Sequence, residues 1–202
     1  MALPIAIGAQ QPAAGRVYHA IVVDRRSPEE QTLAERIAHL DAALVVKVIA
    51  EPRGVAVGVP TEWFGPLANR PDFDPPPFVH TETPVEILEV FKGSPAAGVA
   101  GARTLVITSG GNAAWKEGRA IGNDGPPPLV VDGTYIVLLS SRRPDVAAFA
   151  ANTDIFQLDR GRLVAHGSAP QAWPFAQSVL NLPWRDALAA FHAAAAEAER
   201  LP

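Results

Sequence analysis

The chain has 202 residues and no cysteine. Disulfide cross-links, thiol catalysis and cysteine-ligated metals are therefore excluded outright, whereas the redox compartment stays open. Charge is sparse as well: Asp, Glu, Lys and Arg make up 19% of the residues, with a net charge of −4. Lys and Arg are scattered, so no basic surface for nucleic acid is expected. No stretch approaches the 18 or so apolar residues that a membrane-spanning helix needs. The apolar run from Leu3 to Ala9 is too short to span and has no basic residue before it. It reads either as the stub of a removed signal sequence or as a flexible end.

Chemical motifs are also lacking. The five histidines, His19, His39, His80, His166 and His192, share no H-x-x-x-H or H-x-x-E-H spacing. A metal centre would need ligands gathered by the fold, and neither metal nor cofactor is expected. No serine stands in a G-x-S-x-G context, which disfavours a serine hydrolase. Ser109-Gly110-Gly111 lacks the Lys and the helix of a phosphate loop, and reads instead as a turn needing positive φ. Glu82, Glu86 and Glu89 could form a carboxylate pair for acid–base work, but solvent-facing strand charges are far commoner.

What is abundant is apolar and turn-forming. The hydrophobic share is 48%, with 20 Pro and 16 Gly, a composition that can build one domain with a real core and long loops. The pattern predicts a tail over 1–26, a barrel with a leading helix over 27–165, and a Pro/Trp-containing loop plus C-terminal helix over 166–202 on the same domain.

Residues 80–107 organise the remainder, as a long strand, a turn at Lys92-Gly93-Ser94-Pro95 and a returning strand. Val85 and Ile87 point one way and Glu86 the other, the period of a half-buried strand. The phase then slips, since Leu88 and Val90 are apolar around Glu89. A β-bulge produces such a slip and the bend a barrel strand needs. A strand end buried on both faces would give the same pattern.

Ahead of this hairpin, Ser27-Pro28-Glu29-Glu30 reads as a capping box opening a helix. Leu33, Ile37 and Leu40 would form its buried stripe, with Glu35, Arg36 and His39 outside. Val17–Val23 could be a short strand. Leu44–Ala50 is a clear strand, Glu51–Gly54 a type I turn, and Val55–Val59 either a return strand or a continuation past a bend. After the hairpin, a second long loop runs from Thr108 through Trp115 to Pro128. Asp132-Gly133 signals a turn before Thr134–Leu139, a strand apolar on both faces. Ile155–Leu158 and Leu163–Ala165 flank a three- to four-residue turn with Gly161 left-handed. Leu188 and Phe191 supply the apolar side of the last helix, whose Ala-rich end is expected to fray.

Helix, antiparallel strands with long loops, then helix suggests a small Greek-key barrel, because closure removes sheet edges. The segments Ala43–Val48, Val85–Gly93, Ser109–Gly111, Val131–Leu139 and Phe156–Leu163 resemble the barrel of bacterial proteins similar to the netrin/TIMP module, over roughly residues 30–165. The resemblance implies an OB-type barrel, often exported, and no chemistry. TIMP inhibitors hold the protease zinc through an amino-terminal cysteine, so inhibition by that route is unsupported in a cysteine-free chain.

The aromatics are the best residue-level clue. Residues 60–78 hold six Pro and four aromatics, Trp63, Phe64, Phe73 and Phe78, and Trp115 and Trp173 also lie in Pro-rich loops. They could plug the barrel or form a rim that anchors a protein, glycan or peptide. If the strands alternate up and down, Trp63, Phe64 and Trp115 meet at one barrel end; a return hairpin at 55–59 would separate them. The expected function is therefore a non-enzymatic binding or interaction module. An enzyme with a loop-assembled site and a structural subunit of a larger assembly are the alternatives.

Overall fold

A computed structural model describes residues 31–58, 78–93, 100–114, 120–123, 126–140, 149–167 and 173–201. The chain divides into two compact units, Met1–Val22 with Val57–Phe78, and Val23–Ala56 with Val79–Pro202. The architecture below is that of the second unit.

It is mainly β: a curled, predominantly antiparallel sheet forming a half-barrel, with small helices. The elements run α1 (Leu33–Ala38), β1 (Ala42–Val48), β2 (Arg53–Val57), β3 (Phe78–Lys92), β4 (Arg103–Ser109), β5 (Gly111–Ala114), β6 (Ala120–Asn123), β7 (Thr134–Ser140), β8 (Phe149–Asp159), β9 (Arg162–Ala165), α2 (Pro174–Gln177) and α3 (Trp184–Ala198). In the main sheet the neighbours follow the order β1-β7-β8-β4-β3-β2; β9 is added beside β8, and β1 also pairs with β3. The β4–β8 pairing is parallel.

Two cores share the same strands. Ala42, Leu44, Val46 and Val48 of β1 join Val85, Ile87, Val106, Tyr135, Val137, Leu139 and Ile155 on the inner face of the curl. Ala43 and Val45, the intervening residues, turn to the other face with Ile136, Leu138, Phe156 and the helices. The ladder enforces this division, since Leu44 lies opposite Val137 and Val45 opposite Ile136. Period-2 alternation thus gives β1 and β7 two buried faces, each covered by a different layer.

The phase slip in β3 is a bulge. Val45 lies opposite Glu89 and Val46 opposite Ile87, so Leu88 is the extra residue, and a second shift sets Ala43 against Lys92 and Leu44 against Val90. Leu88 is accordingly pushed outward, 45% exposed. Val90 returns to the inner core and Phe91 to the outer one. Phe91 then stacks on Phe191 of α3 with ring centroids 5.3 Å apart, and Phe156 meets Phe191 edge-on at 5.8 Å.

Several local expectations need correction. The described helix cap is Thr32 with Glu35: the Glu35 N–H donates to Thr32 Oγ1 at 3.2 Å and the Thr32 N–H to Glu35 Oε2 at 2.8 Å. Thr32 is extended, so α1 begins five residues later than Ser27 would place it, and Ser27–Glu30 lie outside the described residues. Arg36 is buried rather than solvent-facing. Lys92 closes the other end of α1, its Nζ donating to the Ile37 and Ala38 carbonyls at 2.9 and 2.8 Å. Helix carbonyls left without intrahelical partners are satisfied this way, and burial there holds the Lys92 ammonium below the usual lysine range, against the pull of Asp41.

Arg53 and Gly54 belong to β2 rather than to a turn. β2 neighbours β3, not β1, so it continues the path of β1 past a bend and does not return on it. Gly54 is needed there because a Cβ would collide with the Asn112 carbonyl. The second long loop contains the β5–β6 hairpin, and the third contains α2. The Asp159–Arg162 turn is a two-residue turn, with Arg160 at φ 47° and Gly161 at φ 78°, the type I′ geometry that suits twisted strands. The Val17–Val23 strand lies outside the described residues.

The Ala-rich end of α3 does not hang free. Ala187, Ala194, Ala195 and Ala198 are buried with Leu33, Ile37 and Phe175. Alanine is what lets two helices and a sheet approach closely at that point.

Stability should follow this packing. Leu138→Ala, at a fully buried position, is expected to cost about 2–5 kcal/mol. Ala195→Gly should cost the ~1 kcal/mol of helix propensity plus the lost methyl contact, whereas exposed Ala196→Gly should cost propensity alone. Equal urea midpoints for the two alanine variants would contradict a packed helix end.

Candidate functional site

One end of the sheet differs chemically from the rest. Along β3, Thr81 and Thr83 share the inner face with Val85 and Ile87, by strand alternation. Thr81 stands opposite Thr108 of β4, which shares the face of Val106. Three buried threonines thus replace aliphatic side chains at this end of the interior. Thr81 Oγ1 donates to the Gly110 carbonyl at 3.0 Å. Thr83 Oγ1 is buried and has no hydrogen-bond partner. A buried hydroxyl in that state carries a desolvation cost of about 1–3 kcal/mol, tolerated where a site serves something else.

Immediately beyond, the backbone turns sharply. Gly110 and Gly111 adopt φ of 83° and 111°. A Cβ on Gly111 would strike Thr81 Oγ1, so glycine is demanded by both dihedral and space. This agrees with reading Ser109-Gly110-Gly111 as a turn.

On the opposite face of β3 lie His80 and Glu82. The His80 ring is fully buried, and its Nε2 lies 3.2 Å from Glu82 Oε1. This pair was not singled out from sequence; the signal was the His-Thr-Glu-Thr alternation, which puts His and Glu on one face and two Thr on the other. His80 stands opposite Ser109 in the ladder, so the chain enters β3 and leaves β4 at the same end of the sheet.

The three glutamates of β3 do not act on one another. Glu82 meets His80, Glu89 Oε1 lies 2.6 Å from His192 Nε2, and Glu86 stands opposite Lys47. The Lys47 ammonium is bonded to Asp132 at 2.9 Å, which holds it above the usual lysine range. His39 is exposed, whereas His166 is buried and accompanies Tyr135. Among the described residues no cluster of three or more His, Asp or Glu could hold a metal ion. No described helix is long and apolar enough to cross a membrane. Trp63, Phe64 and Trp115, the residues singled out from sequence for binding, lie outside the described residues.

Thr83→Val tests the orphaned hydroxyl directly. Exchanging it for a methyl of the same shape should leave stability unchanged or raise it by about 1 kcal/mol in chemical denaturation. A loss above about 1 kcal/mol would mean that the hydroxyl is satisfied, for instance by a buried water.

The chain matches no protein-family model and no curated protein, so its function is argued from this geometry.

Proposed function

We propose that the chain is a non-enzymatic binding module: a Greek-key OB-type barrel with flanking helices, taking a protein, peptide or glycan at the end where β3 begins and β4 ends. The barrel reading draws on a circuit of pairings, β1 with β3, β3 with β4, β4 with β8, β8 with β7 and β7 with β1. The parallel β4–β8 step and the antiparallel remainder suit a five-stranded Greek key.

The observation that carries the binding reading is the His80–Ser109 pairing beside the threonine-lined inner face. It puts the entry to β3 and the exit from β4 side by side. The sequence segments that precede β3 and follow β5 carry Trp63, Phe64 and Trp115. Aromatic side chains of this kind are the anchors that recognition surfaces for proteins, peptides and glycans use.

A second reading, an enzyme with a loop-assembled site, draws on the His80–Glu82 pair. It ranks lower because a fully buried imidazole must first be uncovered to reach a substrate proton.

The test uses the whole chain on peptide and glycan arrays, alongside Trp63→Ser and Trp115→Ser. Binding should fall at least about tenfold in either variant while the melting temperature stays within a few degrees, as expected for exposed anchors. Tryptophans that instead plug the core would cost roughly 3–5 kcal/mol each on truncation. That outcome, or unchanged array binding, would overturn the rim.

A further inference from the structure

Residues 126–133 cross one edge of the inner core as a strap leading into β7. Only Leu129 of this strap is buried, at 2% exposure, among the inner-core residues. Pro127, Pro128, Val130 and Asp132 are exposed. Hydrogen bonds hold the remainder. The Val130 N–H donates to the Tyr135 hydroxyl at 2.9 Å, and the Asp132 N–H to the Val48 carbonyl at 3.0 Å. At the far end, His166 Nε2 lies 2.6 Å from the Pro127 carbonyl oxygen.

His166 is placed for this contact from three sides. Its own N–H donates to the Ile155 carbonyl at 3.1 Å. Its ring meets Tyr135 edge-on, with centroids 5.3 Å apart at 85°. Gly167 follows at φ 89°, where a Cβ would press on Pro127 at 3.4 Å. The same tyrosine therefore touches the histidine with its ring and the strap with its hydroxyl.

We propose that His166 is an acid-released latch: neutral, it holds the strap by Pro127 against the core, and a second proton frees it. The Nε2–H donates to the carbonyl in either form, so the bond itself does not decide the outcome. Burial does, because a cation there loses water without gaining an anion among the described residues. Among the described residues, Tyr135 of β7 is the titratable group shown against the ring. The charged groups of the strap and β1, Asp132 and Lys47, are paired with each other at 2.9 Å. Ile155 of β8 supplies a backbone carbonyl and no charge.

Burial holds the His166 imidazole below its ordinary value of 6.5, with the Pro127 carbonyl opposing. A depressed histidine binds its proton more readily when released, so the latched state is favoured above 6.5 and loses ground as pH falls through the lower native value. Opening at the Pro127 end exposes Leu129, while Val131 packs on the inner core and Asp132 and Gly133 stay tied to β1, so local release does not require the sheet to unfold.

Amide hydrogen exchange decides the matter, comparing residues 126–133 with β7 at about pH 7.5 and about pH 5.5 after correction for intrinsic rates. Strap protection should drop several-fold more than that of β7, and His166→Gln, which keeps a donor but cannot titrate, should abolish the difference. Equal loss in strap and β7, no loss, or the same loss in the Gln variant would each overturn the latch. Should that variant fail to fold, an NMR titration of the native chain serves. The His166 transition should fall below 6.5 and coincide with a shift of the Leu129 methyls. A midpoint at or above that value, or unmoved methyls, would refute it.

Discussion

The β1–β7 ladder is the interaction on which the rest of the structure depends. Its register sets Leu44 against Val137 on one face and Val45 against Ile136 on the other. A slip by one residue would exchange the two sets and face each core with side chains shaped for the other. Ala42–Val46 and Tyr135–Leu139 are buried on both faces, so neither face offers solvent as an alternative there. Helices on one side and the curled sheet on the other are then the only ways to cover them.

β3 meets a harder requirement, because fifteen residues must follow that curl while pairing with β1 along one half and β4 along the other. The extra residues at Leu88 and Phe91 solve it by bending the strand and resetting its phase. The reset lets Phe91 reach Phe191, so a backbone irregularity is what ties the sheet to α3. Lys92, one residue on, is thereby delivered to the carbonyl end of α1. A regular strand would have turned Phe91 to the inner face, with Val85 and Ile87.

The inner face also changes chemically along its length. Aliphatic residues fill the middle of the inner face, and hydroxyls take over at the end where β3 enters and β4 leaves. At the strap, one histidine and one tyrosine take the place of the broad apolar contact that anchors the helices. Few contacts make a segment separable from the body, which is the condition for a switch.

Sequence by itself determined the local periods. The strands at β1 and β7, the slip at Leu88, the Asp132-Gly133 and Gly161 turns and the glycine pair after Ser109 were all legible, because each follows from the needs of neighbouring residues. Tertiary structure decided whatever depended on distant partners. Whether Thr32 or Ser27 capped the helix could not be read, since both head an S/T-x-x-E motif. Ala195 looked like a solvated helix former until α1 and the sheet arrived beside it. Gly54 reads as a turn residue locally, yet its need is steric and set by Asn112, 58 positions away in the chain. His80 with Glu82, and His166 with Pro127, acquire meaning only when strands and strap converge. Periodicity is a property of the chain alone; burial and partnership belong to the folded whole, since they depend on which surfaces the ladder brings together.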